Sequence, residues 1–252
     1  MIFLKSPAEL DALERANRVV HRVLQAVQAA AAPGVSTAEL DELAEETIRQ
    51  HGGAPAFKGY RGFPATLCTS INDVIVHGIP SRAARLADGD VLSVDCGVLL
   101  DGFYGDAATT FGIGRVTAEA ARLMGTARRC LDDGVAAVAP GGRRGDVGAA
   151  VQARAEDAGF GVVREFVGHG IGRALHEDPQ VPNYGLPGHG QILKPGLVIA
   201  IEPMITAGGW RVRVDSDGWT ARTEDGKLAA HFEFSVAVTA DGRRVLGVDG
   251  EC

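Results

Sequence analysis

Cysteine is scarce, and its spacing suits neither a structural metal site nor a disulfide. The four present (Cys68, Cys96, Cys130 and Cys252) lie far apart with no C-x-x-C among them. That excludes a zinc knuckle and a disulfide framework, and fits a reducing compartment. No apolar run approaches the roughly 20 residues that a membrane span needs, so no membrane segment is expected. The opening MIFLKSPAELDALERANRVV lacks a positively charged stretch followed by an apolar core. No secretory signal is therefore expected, and the protein is expected in the cytoplasm. Basic residues are outnumbered: 25 Lys and Arg stand against 32 Asp and Glu, and the net charge of −7 excludes a surface built to grip nucleic acid. Nor is there an H-E-x-x-H helix motif or a Gly-Lys-Ser/Thr phosphate loop.

What is present is an internal duplication in a chain of ordinary globular composition. With 252 residues, 46% of them apolar and 23% charged, the chain suits one large α/β domain or two small ones joined near residue 115. Leu86-Ala-Asp-Gly-Asp-Val-Leu-Ser-Val-Asp95 aligns without gaps on Leu193-Lys-Pro-Gly-Leu-Val-Ile-Ala-Ile-Glu202. Each copy is a polar turn, then a β-branched run read as a buried strand, then a carboxylate. Upstream, helices are expected over 6–32 and 117–139, each stopped by Pro-Gly. A second helix follows each. The first starts at Ser36 with Glu39 three places on, a capping box, and aligns Leu40, Leu43, Ala44 and Ile48 on one face. The second runs from about Asp146 to Asp157. Each half then reaches a His-Gly pair, His77-Gly78 and His169-Gly170. The expectation is one catalytic domain over 1–252 built of pseudo-repeats at about 6–115 and 116–245. The helices cover one side of a shared sheet, leaving a cleft on the other.

Four carboxylates occupy strand-like settings. Asp95 ends the first repeat strand and Glu202 the second. Asp106 follows Asp95 after Asp101-Gly102, a hairpin signal that brings the two acids together. Glu233 sits in His231-Phe-Glu-Phe-Ser-Val-Ala-Val238, with Phe232, Phe234 and Val236 on the other side. Taken singly, each acid could face solvent or pair with an arginine. Taken together in an apolar core they would repel one another and destabilise the fold. Two divalent ions would resolve that conflict, and two-metal sites of this kind drive hydrolysis.

The segment Gly168-His-Gly-Ile-Gly-Arg-Ala-Leu-His176 adds two imidazoles. One can ligate a metal and the other can donate to a developing oxyanion. Its glycines are expected to let the backbone turn sharply and a substrate backbone come close. Alone, His77 reads as structural; its place in the matching repeat position argues for function.

These residues resemble the bacterial-type methionine aminopeptidases, M24 metallopeptidases of the pita-bread fold. The resemblance covers nearly the whole chain. It is strongest in Ser70-Ile-Asn-Asp-Val-Ile-Val-His-Gly-Ile-Pro80, Ser93-Val-Asp-Cys-Gly97, Gly168-His-Gly-Ile-Gly172, His176-Glu-Asp-Pro179 and Ile201-Glu-Pro-Met204. It implies an α/β fold with a curved, mostly antiparallel sheet, and two divalent ions (Co, Mn, Fe or Zn). Their ligands would be Asp95, Asp106, His169, Glu202 and Glu233. It further implies that Glu202 moves the proton of the attacking water, that His176 stabilises the oxyanion, and that His77 holds the peptide. The substrate would be the N-terminal methionine of peptides and nascent chains, met by a monomer with transient ribosome contact. Phe57, Tyr60, Phe63, Cys68, Leu175 and Trp219 would line the methionine pocket. Phe57, Phe63 and Leu175 depart from the family's familiar Cys, Tyr and Phe. Phe234 stands where His often follows the glutamate, and is expected to alter a contact just behind the ligands. The rival readings are an Xaa-Pro dipeptidase or aminopeptidase P, whose extra N-terminal domain has no counterpart before His77, and a non-catalytic binding module, which should lack ligands.

Overall fold

Ser6 and Ser36 each cap a helix with a side chain that accepts from the backbone three residues on, while Glu9 and Glu39 reach back to the cap. These boxes start α1 (Pro7–Ala30) and α2 (Thr37–Gln50). Thr117 caps α3 (Ala118–Ala136), and Asp146 accepts from the Arg143 backbone to open α4 (Arg144–Asp157). All four helices fall where periodicity places them, with ends differing by a few residues as fraying and capping allow. The structure, a computed structural model, describes residues 2–248. Cys252 lies outside them, while Cys68, Cys96 and Cys130 are buried and free.

The first half contributes β1 (Ala54–Pro55), β2 (Leu67–Ile71), β3 (Val74–Val76), β4 (Val91–Leu100) and β5 (Phe103–Gly112). The second contributes β6 (Gly161–Val162), β7 (Gly168–Gly170), β8 (Glu177–Val181), β9 (Val198–Ile201) and β10 (Met204–Thr206). It continues with β11 (Val212–Val214), β12 (Ala221–Thr223), β13 (Ala229–His231), β14 (Glu233–Val238) and β15 (Arg243–Val245). Nine of these form one sheet along the path β1-β4-β5-β14-β9-β7-β8, with β2 also on β4 and β15 also on β14. Its pairings are antiparallel, as expected. The remaining strands form two three-stranded sheets, β13-β10-β6 and β11-β12-β3.

The helices cover one face. Val20, Val23 and Val27 of α1 and Leu40, Ala44 and Ile48 of α2 pack on Leu92, Val94, Cys96 and Val98 of β4. Leu123, Leu131, Val147 and Val151 of α3 and α4 pack on Ile199, Ile201 and Val236. Where α1 crosses β5 the backbones nearly touch: a Cβ on Gly105 would lie 2.7 Å from Ala16 C and Asn17 N. Gly105→Ala should therefore push α1 off the sheet at a cost of about 1–3 kcal/mol, read as a lower urea midpoint. An unchanged midpoint would contradict the close crossing.

Candidate metal centre and substrate cavity

Strand register gathers the acids. Asp101 and Gly102 both take left-handed backbone, at φ 51° and 79°, closing the β4–β5 hairpin as a two-residue turn. Asp95 stands opposite Ala108, and Ala108 stands opposite Glu233 on β14. Paired residues share a face, and so do residues two apart. Asp106, two before Ala108, therefore joins Asp95 and Glu233 on the face away from the helices. Phe234 pairs with Ile201, so Glu202 falls opposite Glu233 one step beyond the ladder. The same register places His169 beside Ala200 on that face. Alanine at 108 and 200 leaves the space between the acids clear. One detail differs from expectation: Asp95 does not end its strand, because β4 runs on to Leu100 to complete the hairpin.

Asp106 and Glu233 are only 3% and 2% exposed. Their oxygens Asp106 Oδ1 and Glu233 Oε1, with Asp95 Oδ1, are buried without a hydrogen-bond partner. Burial, compounded by neighbouring acids, pushes Asp106, Glu202 and Glu233 well above the usual carboxylate range. Burial also lifts Asp95 to about 7. His169 turns Nδ1 to the Gly170 carbonyl at 2.9 Å. That contact fixes the proton on Nδ1 and aims the Nε2 lone pair at Glu202 Oε1 (3.6 Å) and Asp106 Oδ2 (3.8 Å). Burial also depresses His169, to about 3, so this imidazole is neutral and supplies no proton to those oxygens. Once these acids ionise, lone pairs face lone pairs in a low-dielectric pocket, a conflict that a cation between them would relieve. Ligand atoms of Asp106, His169 and Glu233 all lie within 4.8 Å of one another, close enough to share one metal ion. The donor set fits a divalent metal.

All thirteen residues singled out in the sequence line one cavity. Phe57, Phe63, Cys68 and Leu175 form a buried apolar wall, with Tyr60 and Trp219 at its edge. Burial raises the Cys68 thiol well above its ordinary value. His77, at φ 59°, stands edge-on to Phe166 and Trp219. His176 lies 4.2 Å from His169, ring centre to ring centre, and its Nδ1 meets Tyr60 Oη at 2.9 Å. Burial lowers both, His77 to about 4; His77 is lowered further by His176, and His176 by Arg61. Arg61, Val76, Phe166, Val167 and His231 also line the cavity and went unread in the sequence. His231 is 2% exposed with Nε2 unpartnered. Its place two residues before Glu233, on the same alternating face, was the available signal.

Two expectations are corrected. Gly168, Gly170 and Gly172 serve packing, not substrate approach or a sharp turn. A Cβ on Gly168 would lie 2.3 Å from Ala200 O, one on Gly170 2.1 Å from Asp178 O, and one on Gly172 2.4 Å from Lys5 Cε. Phe234 points away from the clustered acids into the helix layer, edge-on to His21 and under Arg128.

A curled antiparallel sheet with helices on one face and, on the other, buried acids and an imidazole able to hold a metal fits a class of metallopeptidase. The chain belongs to metallopeptidase family M24, matched over residues 11–240. The methionine aminopeptidase of Clostridium acetobutylicum is 47% identical over 246 residues, covering 98% of each chain. The crystal structure of the Thermotoga maritima methionine aminopeptidase superposes with a TM-score of 0.97 at 41% identity, covering 99% of this chain and 100% of that one. The Pyrococcus furiosus prolidase shares the fold at a TM-score of 0.80 and 21% identity, but this chain spans only 66% of its length.

Proposed function

We propose that this chain is a methionine aminopeptidase that removes the N-terminal methionine of peptides and nascent chains in the cytoplasm. The observation carrying the reading is the set of orphaned, buried oxygens of Asp95, Asp106 and Glu233, gathered in an apolar cavity beside a neutral imidazole whose Nε2 faces further oxygens of Asp106 and Glu202. Asp95, Asp106, His169, Glu202 and Glu233 would hold two divalent ions, with Mn, Fe, Co and Zn all suited to carboxylate and imidazole donors. A divalent metal held by these residues would supply Lewis acidity toward a bound water and the scissile carbonyl.

The chain's own residues do the rest. Glu202, whose carboxyl burial raises well above the usual carboxylate range, is suited to accept the proton of the attacking water and return it to the leaving amine nitrogen. His176 Nδ1 meets Tyr60 Oη at 2.9 Å; in the tautomer where Tyr60 O–H donates, the proton lies on Nε2, free to donate to the oxyanion. His77, braced by Phe166 and Trp219, holds the peptide in register. The apolar wall takes the methionine thioether and excludes water. Residues 6–115 and 116–245 are read as the two halves of one catalytic domain, active as a monomer.

The test is release of methionine from Met-Ala-Ser, set against cleavage of an Xaa-Pro dipeptide, with metal content measured. Methionine release that a chelator abolishes and added metal restores is expected, with the Xaa-Pro substrate essentially untouched. The reverse preference would move the chain to the prolidase reading.

A further inference from the structure

Among the described residues, one charged side chain lines the cavity besides the four acids and the imidazoles: Arg61. It comes from the turn Tyr60–Gly62, between Gly59 at φ 88° and Gly62 at φ 91°, and itself sits at φ 50° and ψ 23°. That conformation costs a residue with a side chain about 1 kcal/mol or more. The turn is nevertheless closed by backbone hydrogen bonds: Gly59 N–H to Phe63 O at 2.7 Å, Gly62 N–H to Gly59 O at 3.2 Å, and Phe63 N–H to Tyr60 O at 2.9 Å. Arg61 is exposed, yet it stands on a fixed platform.

The guanidinium lies 5.4 Å over the Tyr60 ring, the tyrosine that orients His176. No carboxylate among the described residues makes an ion pair with it, although most other arginines of the first half are paired, Arg15, Arg18, Arg49, Arg82 and Arg85 among them. An unpaired cation, held rigidly at the rim of a cleft that takes a peptide, is placed to meet a charge on that peptide. With the methionine side chain against Phe57, Phe63 and Leu175, the rest of the peptide has to leave through the mouth of the cavity, where the exposed Arg61 stands. An extended chain advances about 3.4 Å per residue, so side chains beyond the second are the ones free to meet that charge.

We propose that Arg61 is a specificity-determining residue that favours substrates with acidic side chains at the third and fourth positions. This rests on the aminopeptidase reading above. The charge acts at an exposed rim, so its effect is modest and screened by salt: roughly three- to fivefold in kcat/KM between acidic and basic peptides at low ionic strength. It falls mainly on KM, because the interaction is equally present before and during bond cleavage.

The experiment compares Met-Ala-Asp-Asp-Phe, Met-Ala-Ser-Ser-Phe and Met-Ala-Lys-Lys-Phe amides on the metal-loaded enzyme at 20 mM and 500 mM NaCl. Wild type should follow the order Asp, Ser, Lys, with the spread collapsing at high salt. Arg61→Asn keeps a residue tolerant of left-handed backbone and should bring the Asp-to-Lys ratio close to one. Arg61→Lys should keep part of it, and Arg61→Glu should invert it. Circular dichroism melts check that each variant folds, and the ratio between peptides is internal to each variant. Failure to cleave even the serine peptide would overturn the aminopeptidase reading. Cleavage of all three at equal rates, or a ratio that persists in Arg61→Asn, would overturn the role of Arg61 alone.

Discussion

Asp106→Asn should give a protein that melts higher without metal and no longer cleaves peptide. In the metal-free state Asp106 is buried, its Oδ1 has no partner, and its ionised form is opposed by burial and by Glu233 and Asp95. A neutral amide of the same shape removes that opposition. The gain is expected to be on the order of 1–2 kcal/mol, and each kcal/mol is worth roughly 2–4 °C in a chain of this size. The sign follows from the direction of the shift. A carboxylate whose folded pKa is raised binds more protons folded than unfolded, so the wild type loses stability as pH rises from the unfolded value through the raised one. The variant's advantage is therefore small near pH 4 and largest at pH 8. Activity moves oppositely. Without a charged oxygen shared with Glu233 and His169 the metal cradle fails, and losing ~4 kcal/mol of metal-derived stabilisation lowers kcat/KM by about a thousandfold. Chelated melts at pH 5 and pH 8, beside a Met-Ala-Ser assay under saturating metal, read both. A variant that melts below wild type at pH 8 in chelator, or keeps wild-type activity, would contradict the centre drawn here.

That trade between stability and chemistry is also why the centre could be read from sequence. Charged residues in strands of Val, Ile and Ala have no folding rationale, so Asp95, Glu202 and Glu233 stood out before any geometry was known. Asp106 followed from local chemistry alone, because Asp101-Gly102 fixes a two-residue turn and the turn fixes the register. The helices were equally legible, their starts being written in Ser36–Glu39 and Thr117. What stayed hidden depends on contacts between distant segments. Arg61 and Phe166 belong to no periodic pattern, and only the folded chain brings them beside His176 and His77. The glycines around His169 were misread because a glycine-rich loop looks the same whether it spares room for a ligand or for a neighbouring strand. The direction of Phe234 was available from alternation, since Glu233 and its successor must point to opposite faces of the sheet. Phe234 does lie on that other side, and only the contact with the metal ligands implied by the family resemblance is absent.

A lone lysine ahead of the first helix gave no signal at all, yet it carries the second large effect expected. Lys5 reaches from the N-terminal segment to Glu177, Nζ to Oε2 at 2.5 Å, with side chains only 4% and 7% exposed. Glu177 follows His176 directly, and its other oxygen accepts from the Arg173 backbone at 2.8 Å and the Ala174 backbone at 3.2 Å. Lys5 is itself anchored, its N–H donating to Gly196 O at 2.7 Å and its Nζ to Phe3 O at 3.0 Å. The ion pair thus pins the loop that presents His176, in space that Gly172 leaves open. Lys5→Met should leave a buried carboxylate uncompensated and cost about 3 kcal/mol or more, a fall in Tm of roughly 6–12 °C. Adding Glu177→Gln should restore most of that stability, because the amide oxygen still accepts from Arg173 and Ala174 while the uncompensated charge is gone. The two effects of Lys5 then separate. In the single variant kcat should fall roughly tenfold as His176 loses its fixed position, while metal content stays that of the wild type, because Lys5 touches no proposed ligand. In the double variant stability and kcat should recover together. A Lys5→Met protein that melts within 2 °C of wild type, or one whose kcat falls only because metal is lost, would show that the pair does not position the loop.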